Sequence, residues 1–323
     1  MDYLLIIPSL ALSLAVVVPL TGALVRFRAN YSPRGLALDE EGAAAPVGPV
    51  LSSFFATLAR VWRLEGVAGL YKGLMPTLLS ASIMSIIIVA LLDDSSASPG
   101  RHGYRPPTTG VLGTFIYGVA LVLLSLPSAI LTYRQVAITT PYKLKLPYLS
   151  PMKAFRVLLT PTERARPWIL YLTPGLLAAQ GLHVAHVTLV MGPLHRWLVP
   201  MASGPGGVSY PDTTAIKFSA YLVVVLLSTA VLTPLEVVTV RLAIQRNQSS
   251  AEYNSVSQEV EGDAEDLPEY AGAEEDVIGL RTEGEAYTGL VDCVKTIIHE
   301  EGFRVLYRAW WVTVLGGVAS ALG

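Results

Sequence analysis

The chain has 323 residues, 52% hydrophobic and only 15% charged, with a formal net charge of −2. That balance is too apolar for an ordinary soluble domain, and the basic residues do not cluster with aromatics as a nucleic-acid surface requires. The small net charge hides an acidic block, since positions 247–286 carry twelve acidic residues and one basic, Arg281.

Uncharged runs able to cross the ~30 Å hydrocarbon layer as helices fall at 3–25, 73–92, 106–133, 167–194 and 218–235, with a weaker run at 309–323. The pattern predicts an all-α membrane protein, a compact bundle of six transmembrane helices. Asp2 precedes the first run where a secretory signal would carry Lys or Arg, so that run reads as a retained span. The acidic block has too little hydrophobicity and too much like charge to fold, and reads as a disordered insert with a possible role in protein docking. The single cysteine, Cys293, lies in a polar amphipathic segment and reads as a structural thiol.

A motif recurs along the chain. Pro19 in "VVPLTGALVRFR", Pro127 in "LSLPSAILTYRQ" and Pro234 in "LTPLEVVTVRLA" each end an apolar run, and Arg26, Arg134 and Arg241 follow seven positions later. A second element, "RLEGVAGLYKGLMPTLL" from Arg63, returns as "HEEGFRVLYRAWWVTVL" from His299. Two motifs repeated in the same order are the signature of an internally repeated fold.

This layout resembles the mitochondrial carrier family. The resemblance implies three repeats of two helices, here 1–98, 99–205 and 206–323, the last carrying the acidic insert. The odd helix of each repeat would be kinked at its Pro, and a Pro-x-acid-x-x-basic signature would supply a ring of three salt bridges gating the matrix side. This chain departs from that signature. The acidic places hold Thr21, Ala129 and Glu236, and the first basic places hold Leu24, Thr132 and Thr239. Glu236 therefore cannot belong to a three-bridge ring, which leaves it a gate role of its own, a bond to Arg241 or a hydrated helix end, and Arg26, Arg134 and Arg241 are expected to anchor helix ends at the interface. Repeat two is the weakest, with "LTPTERARPWILYLTPG" in place of the Glu-Gly turn.

The opposite gate keeps Asp93 in "LLDDSS", while helix four offers Val190 and Met191 and helix six ends before that depth. Counting one turn from Pro76, Pro174 and Val312 puts the family's substrate contacts at Ser80, at Ala178 with Ala179, and at Gly316. None is charged, which disfavours a highly charged substrate, because a buried anion needs a partner to offset its lost hydration. Gln180, His183 and His186 fall within two turns of helix four and are further cavity candidates, but no carboxylate or Cys lies near them in sequence to complete a metal site. Tyr71, Lys72 and Gly73, and Tyr287 with Gly289, match places where the family binds cardiolipin at helix N-termini. No phosphate loop or metalloprotease helix is present, so neither catalysis nor a cofactor is expected.

The connection from Arg134 to Trp168 has seven basic residues and one acid, and basic excess on that side fits the matrix face of an inner-membrane protein. Two functions follow. One is a transporter in a mitochondrial membrane, moving a small, weakly charged metabolite by alternating access. The other is a transport-incompetent outer-membrane derivative acting in fusion, scaffolding or protein insertion.

Overall fold

The computed structural model describes residues 3–34, 38–39, 42–43, 49, 51–92, 110–138, 158–203, 209–211, 213–246, 277–281 and 286–322. Within them the chain is helical apart from two minimal antiparallel hairpins, Leu38–Asp39 with Gly42–Ala43 and Met201–Ser203 with Ser209–Pro211. Asp93 and most of the acidic insert lie outside the described residues.

The first repeat contains α1 (Tyr3–Ala29), α2 (Phe54–Leu70) and α3 (Leu74–Leu92). Ser53 caps α2 by accepting a hydrogen bond from the Ala56 amide, and α2 breaks at Gly66, whose φ of +64° suits a residue without Cβ. The second repeat contains α4 (Val111–Ile138), the short α5 (Pro161–Ala165), a 3₁₀ stretch (Pro167–Leu172) and α6 (Leu176–Ala185). From α6 the chain runs through a π-helical stretch, His186–Met191, into α7 (Gly192–Leu198). The third repeat contains α8 (Ala215–Ile244), α9 (Leu290–Glu300), a 3₁₀ turn (Phe303–Tyr307) and α10 (Trp310–Leu322).

Among the described residues four helical rods are long and apolar enough to cross a membrane: α1, α4, α6 continued through α7, and α8. The apolar α3 and the 13-residue α10 complete six. Helix α10 rises only about 20 Å, short of the hydrocarbon thickness. Helix α8 is the axle of the bundle, packing on α1, α4, α6, α9 and α10. Its stretch Val237–Ala243 is buried on every side, and both larger apolar clusters meet along it.

The three kink prolines share one local device. A proline has no amide hydrogen, so the carbonyl four residues earlier loses its helical donor. The Tyr71 hydroxyl donates to the Ala15 carbonyl at 3.0 Å, Tyr171 to Leu123 at 3.0 Å and Tyr307 to Ala230 at 3.1 Å. These carbonyls lie four residues before Pro19, Pro127 and Pro234. Each phenol thus supplies the bond its proline removed and ties the kinked helix to the entry of the helix that follows.

Candidate functional site

The arginines seven residues beyond each proline do not reach the lipid interface, which corrects that expectation. All three are buried, and each meets a buried glutamate at 2.7 Å: Arg26 with Glu65, Arg134 with Glu163, and Arg241 with Glu301. The second pair shows that repeat two does keep the acid. Thr160 and Glu163 form a reciprocal capping box at the start of α5, in which the Glu163 carboxylate accepts from the Thr160 amide at 3.0 Å and the Thr160 hydroxyl accepts from the Glu163 amide at 3.3 Å. Its side chain also takes both ends of the Arg134 fork, at 2.7 and 2.9 Å.

Two of these arginines stitch neighbouring repeats together. Arg134 donates to the carbonyls of Ala243 and Gln245 at the end of α8, and Arg241 donates to those of Arg28 and Asn30 at the end of α1. The last carbonyls of a helix have no intrahelical donor, so an arginine fork there satisfies the backbone and opposes the negative end of the helix dipole. Arg308 adds bonds to the Phe27 and Asn30 carbonyls. Burial and the nearby Arg241 hold its guanidinium down at about 10, still charged at neutral pH.

Glu236 bonds neither Arg241 nor bulk water as its main partner. It reaches across the bundle to Arg28 on α1, 2.5 Å away, and accepts from the Thr313 hydroxyl on α10 at 2.7 Å. The sequence motif concealed Arg28 because it lies four residues beyond Leu24, where the family places its base. One turn further along the same helix face, it reaches back to the same carboxylate. His183 Nε2 stands 3.6 Å from Glu236 on its other side.

These groups line a cavity of about 460 Å³, which runs between α1, the α6–α7 rod, α8 and α10. Its polar lining includes Arg28, Glu236, Thr313, His183, His195 and Tyr221, and its apolar walls include Leu24, Val187, Val225, Leu232 and Val312. The size lies within the range of pockets that hold small metabolites. The π-helical stretch flanks it, a local widening of the ladder often found at functional sites.

Of the substrate-contact candidates, Gly316 and His183 line this cavity. An added Cβ at Gly316 would meet nothing within 4 Å, whereas at Gly317 it would come within 2.6 Å of Val225, where α10 crosses α8. Ala179 is fully buried, and Ala178 lies on an exposed face. The counting from Pro174 is displaced because the left-handed residue that starts each even helix is Gly73, Gly175 and Ala309. Counting from those residues moves the repeat-two position to Leu182 and His183. Ser80 is hydrogen-bonded to Ser128 of α4 at 2.9 Å, tying α3 to α4. Gln180 and His186 are half-buried, and His186 Nε2 has no partner. Among the described residues no group of three or more His, Cys, Asp or Glu side chains could hold a metal.

At the lipid-facing candidates, Gly73 has a φ of +91° just ahead of α3, and Gly289 caps α9. Lys72 bonds Glu65 at 2.5 Å, and burial pulls its ammonium below the ordinary range. The Tyr287 ring lies beneath the Arg281 guanidinium at 4.9 Å, and its backbone is bracketed by Gln245.

The mitochondrial carrier protein family profile matches residues 10–97 and 211–322. The chain belongs to the mitochondrial carrier family. Membership makes it a carrier-type transporter and a multi-pass mitochondrial membrane protein that binds a small molecule. The match spans repeats one and three and passes over repeat two, where the Glu-Gly turn is missing. No curated protein matches the chain.

Proposed function

We propose that this carrier moves a small, weakly charged metabolite across the inner mitochondrial membrane by alternating access, with Glu236 and Arg28 as its matrix-side gate. The observation that carries the reading is the Arg28–Glu236 bridge, which joins repeat one to repeat three in the lining of the cavity. The Arg26, Arg134 and Arg241 pairs are a separate layer. They are almost wholly buried and hold helix ends, so breaking them unfolds structure, whereas Arg28 and Glu236 face a cavity whose occupant can compete for them. A gate of one bridge opens at lower cost than a ring of three, and Thr313 and His183 offer Glu236 alternative partners as it opens. Lipid phosphate at the N-termini of α3 and α9 would steady the matrix rim.

Uptake by the purified chain in cardiolipin-containing liposomes tests this. Exchange of neutral or zwitterionic solutes is expected, and Glu236→Gln should lower it at least tenfold while Ser80→Ala changes it little. Protease protection of segment 247–286 in mitochondria with ruptured outer membranes should place that segment in the matrix. Cleavage in intact mitochondria would instead favour the outer-membrane scaffold, with the acidic segment as its docking surface.

A further inference from the structure

The described cavity lining carries an arginine and a glutamate, Arg28 and Glu236, paired with each other. We propose that it binds a small zwitterion with an aliphatic tail, a molecule of the α-amino acid kind, its carboxylate on Arg28 and its ammonium group on Glu236. This rests on the carrier reading of the same cavity and names the substrate class.

Charge balance comes first. A lone anion drawn to Arg28 would strip Glu236 of its cation, and a lone cation drawn to Glu236 would strip Arg28 of its anion. Either leaves a buried charge uncompensated, which is strongly unfavourable. A zwitterion replaces both partners at once and so opens the gate without leaving either charge bare.

Donor geometry points the same way. Arg134 uses its Nε and both terminal nitrogens on a carboxylate and three backbone carbonyls, and Arg241 is similarly saturated by Glu301 and two carbonyls. Arg28 engages Glu236 and Thr313 through Nη2, while its Nε is buried without a partner although the residue is only 6% exposed. Displacing Glu236 frees Nη2, which together with the unpartnered Nε forms an edge able to take a planar carboxylate in two parallel bonds. Glu236 is likewise half engaged. Oε2 accepts from Arg28 and Thr313, whereas Oε1 has His183 at 3.6 Å, beyond hydrogen-bonding range, and can accept from an ammonium group. The same cavity is also lined by Leu24, Val187, Val225 and Val312, whose side chains suit a branched hydrocarbon tail.

The test is ligand-induced thermal stabilisation of the full chain in detergent by three related probes. They are L-leucine, 4-methylpentanoate (leucine without its amine) and 3-methylbutylamine (leucine without its carboxylate). Leucine should raise the melting temperature by several degrees at millimolar concentration, and each half should act at least about tenfold more weakly. Arg28→Lys, which keeps the charge and loses the fork, should weaken leucine about tenfold. The double variant Arg28→Gln/Glu236→Gln leaves no lone charge to unfold the bundle and should lose the leucine shift. Equal stabilisation by either half, or a shift retained by the double variant, overturns the proposal. So does uptake of other solutes in liposomes with no leucine shift, an outcome that leaves the carrier reading intact. A leucine shift lost in the double variant, with no solute uptake, supports the binding site and sinks the carrier reading.

Discussion

Repeats two and three solve the same structural problem with different sequences. In repeat three the acid that receives Arg241 stands in a Glu-Gly turn, where Gly302 at a φ of +94° swings the chain from α9 toward α10. In repeat two the acid is the N3 residue of a capping box and the helix continues past it through Arg164, with no left-handed residue in the place of Gly302, while Gly175 matches Ala309 at the start of the even helix. The arginine, the buried carboxylate and the tyrosine on the proline-freed carbonyl are all retained. The repeat preserves an arrangement of charges in space and lets the local backbone that presents the acid drift.

If the two repeats are equivalent, breaking their ion pairs should cost the same. Glu163→Ala and Glu301→Ala each leave a buried guanidinium without its carboxylate, and each is expected to destabilise the detergent-solubilised protein by about 3–5 kcal/mol, read as a large fall in melting temperature. A small effect at Glu163 alone would break the comparison. The left-handed glycines should then differ according to what surrounds them. Gly175→Ala would set a Cβ 2.2 Å from the Leu290 amide nitrogen, whereas Gly66→Ala meets open space. The first should cost more than the second, which carries only the left-handed backbone penalty of about 1–2 kcal/mol. Chemical denaturation of the two variants side by side checks the order.

Smaller changes sharpen the likeness. Tyr71→Phe, Tyr171→Phe and Tyr307→Phe each remove one hydrogen bond to a proline-freed carbonyl, so the three should fall within a few tenths of one another near 1 kcal/mol. Ala309 adopts a φ of +57° where the other repeats use glycine, and Ala309→Gly should stabilise by about 0.5–1 kcal/mol. The smallest effect is expected at Cys293, fully buried and with its thiol pushed up to about 12 by burial. A thiol raised in the folded state contributes its stability below its ordinary range near 9 and loses it as pH climbs from there toward 12. At pH 7 a maleimide should leave the native protein unlabelled and label it once unfolded.

Periodic features were legible from the sequence, and compensated ones were not. Prolines 108 and 107 residues apart and arginines at a constant offset carry through to the fold because a kink and its partner charge need fixed helical geometry. Glu163 was visible as the one acid in a basic connection and as the last residue of a Thr-x-x-Glu box, but an expectation framed around a Glu-Gly turn looked past it. Arg28 was missed because a long side chain four residues away can serve the same point in space, which a positional motif cannot register. The cavity face of helix four was miscounted because Gly175, rather than Pro174, sets its start.

The three tyrosine hydroxyls have a mechanical consequence. Each locks the bend of an odd helix to the entry of its even neighbour, so a change in kink angle must carry the following helix with it. The stiff element is then the helix pair, joined to its neighbours at one end by the Arg134 and Arg241 forks. Such coupling suits a rocking of three hinged panels, and the seam between the first and third carries the Arg28–Glu236 bridge proposed above as the gate.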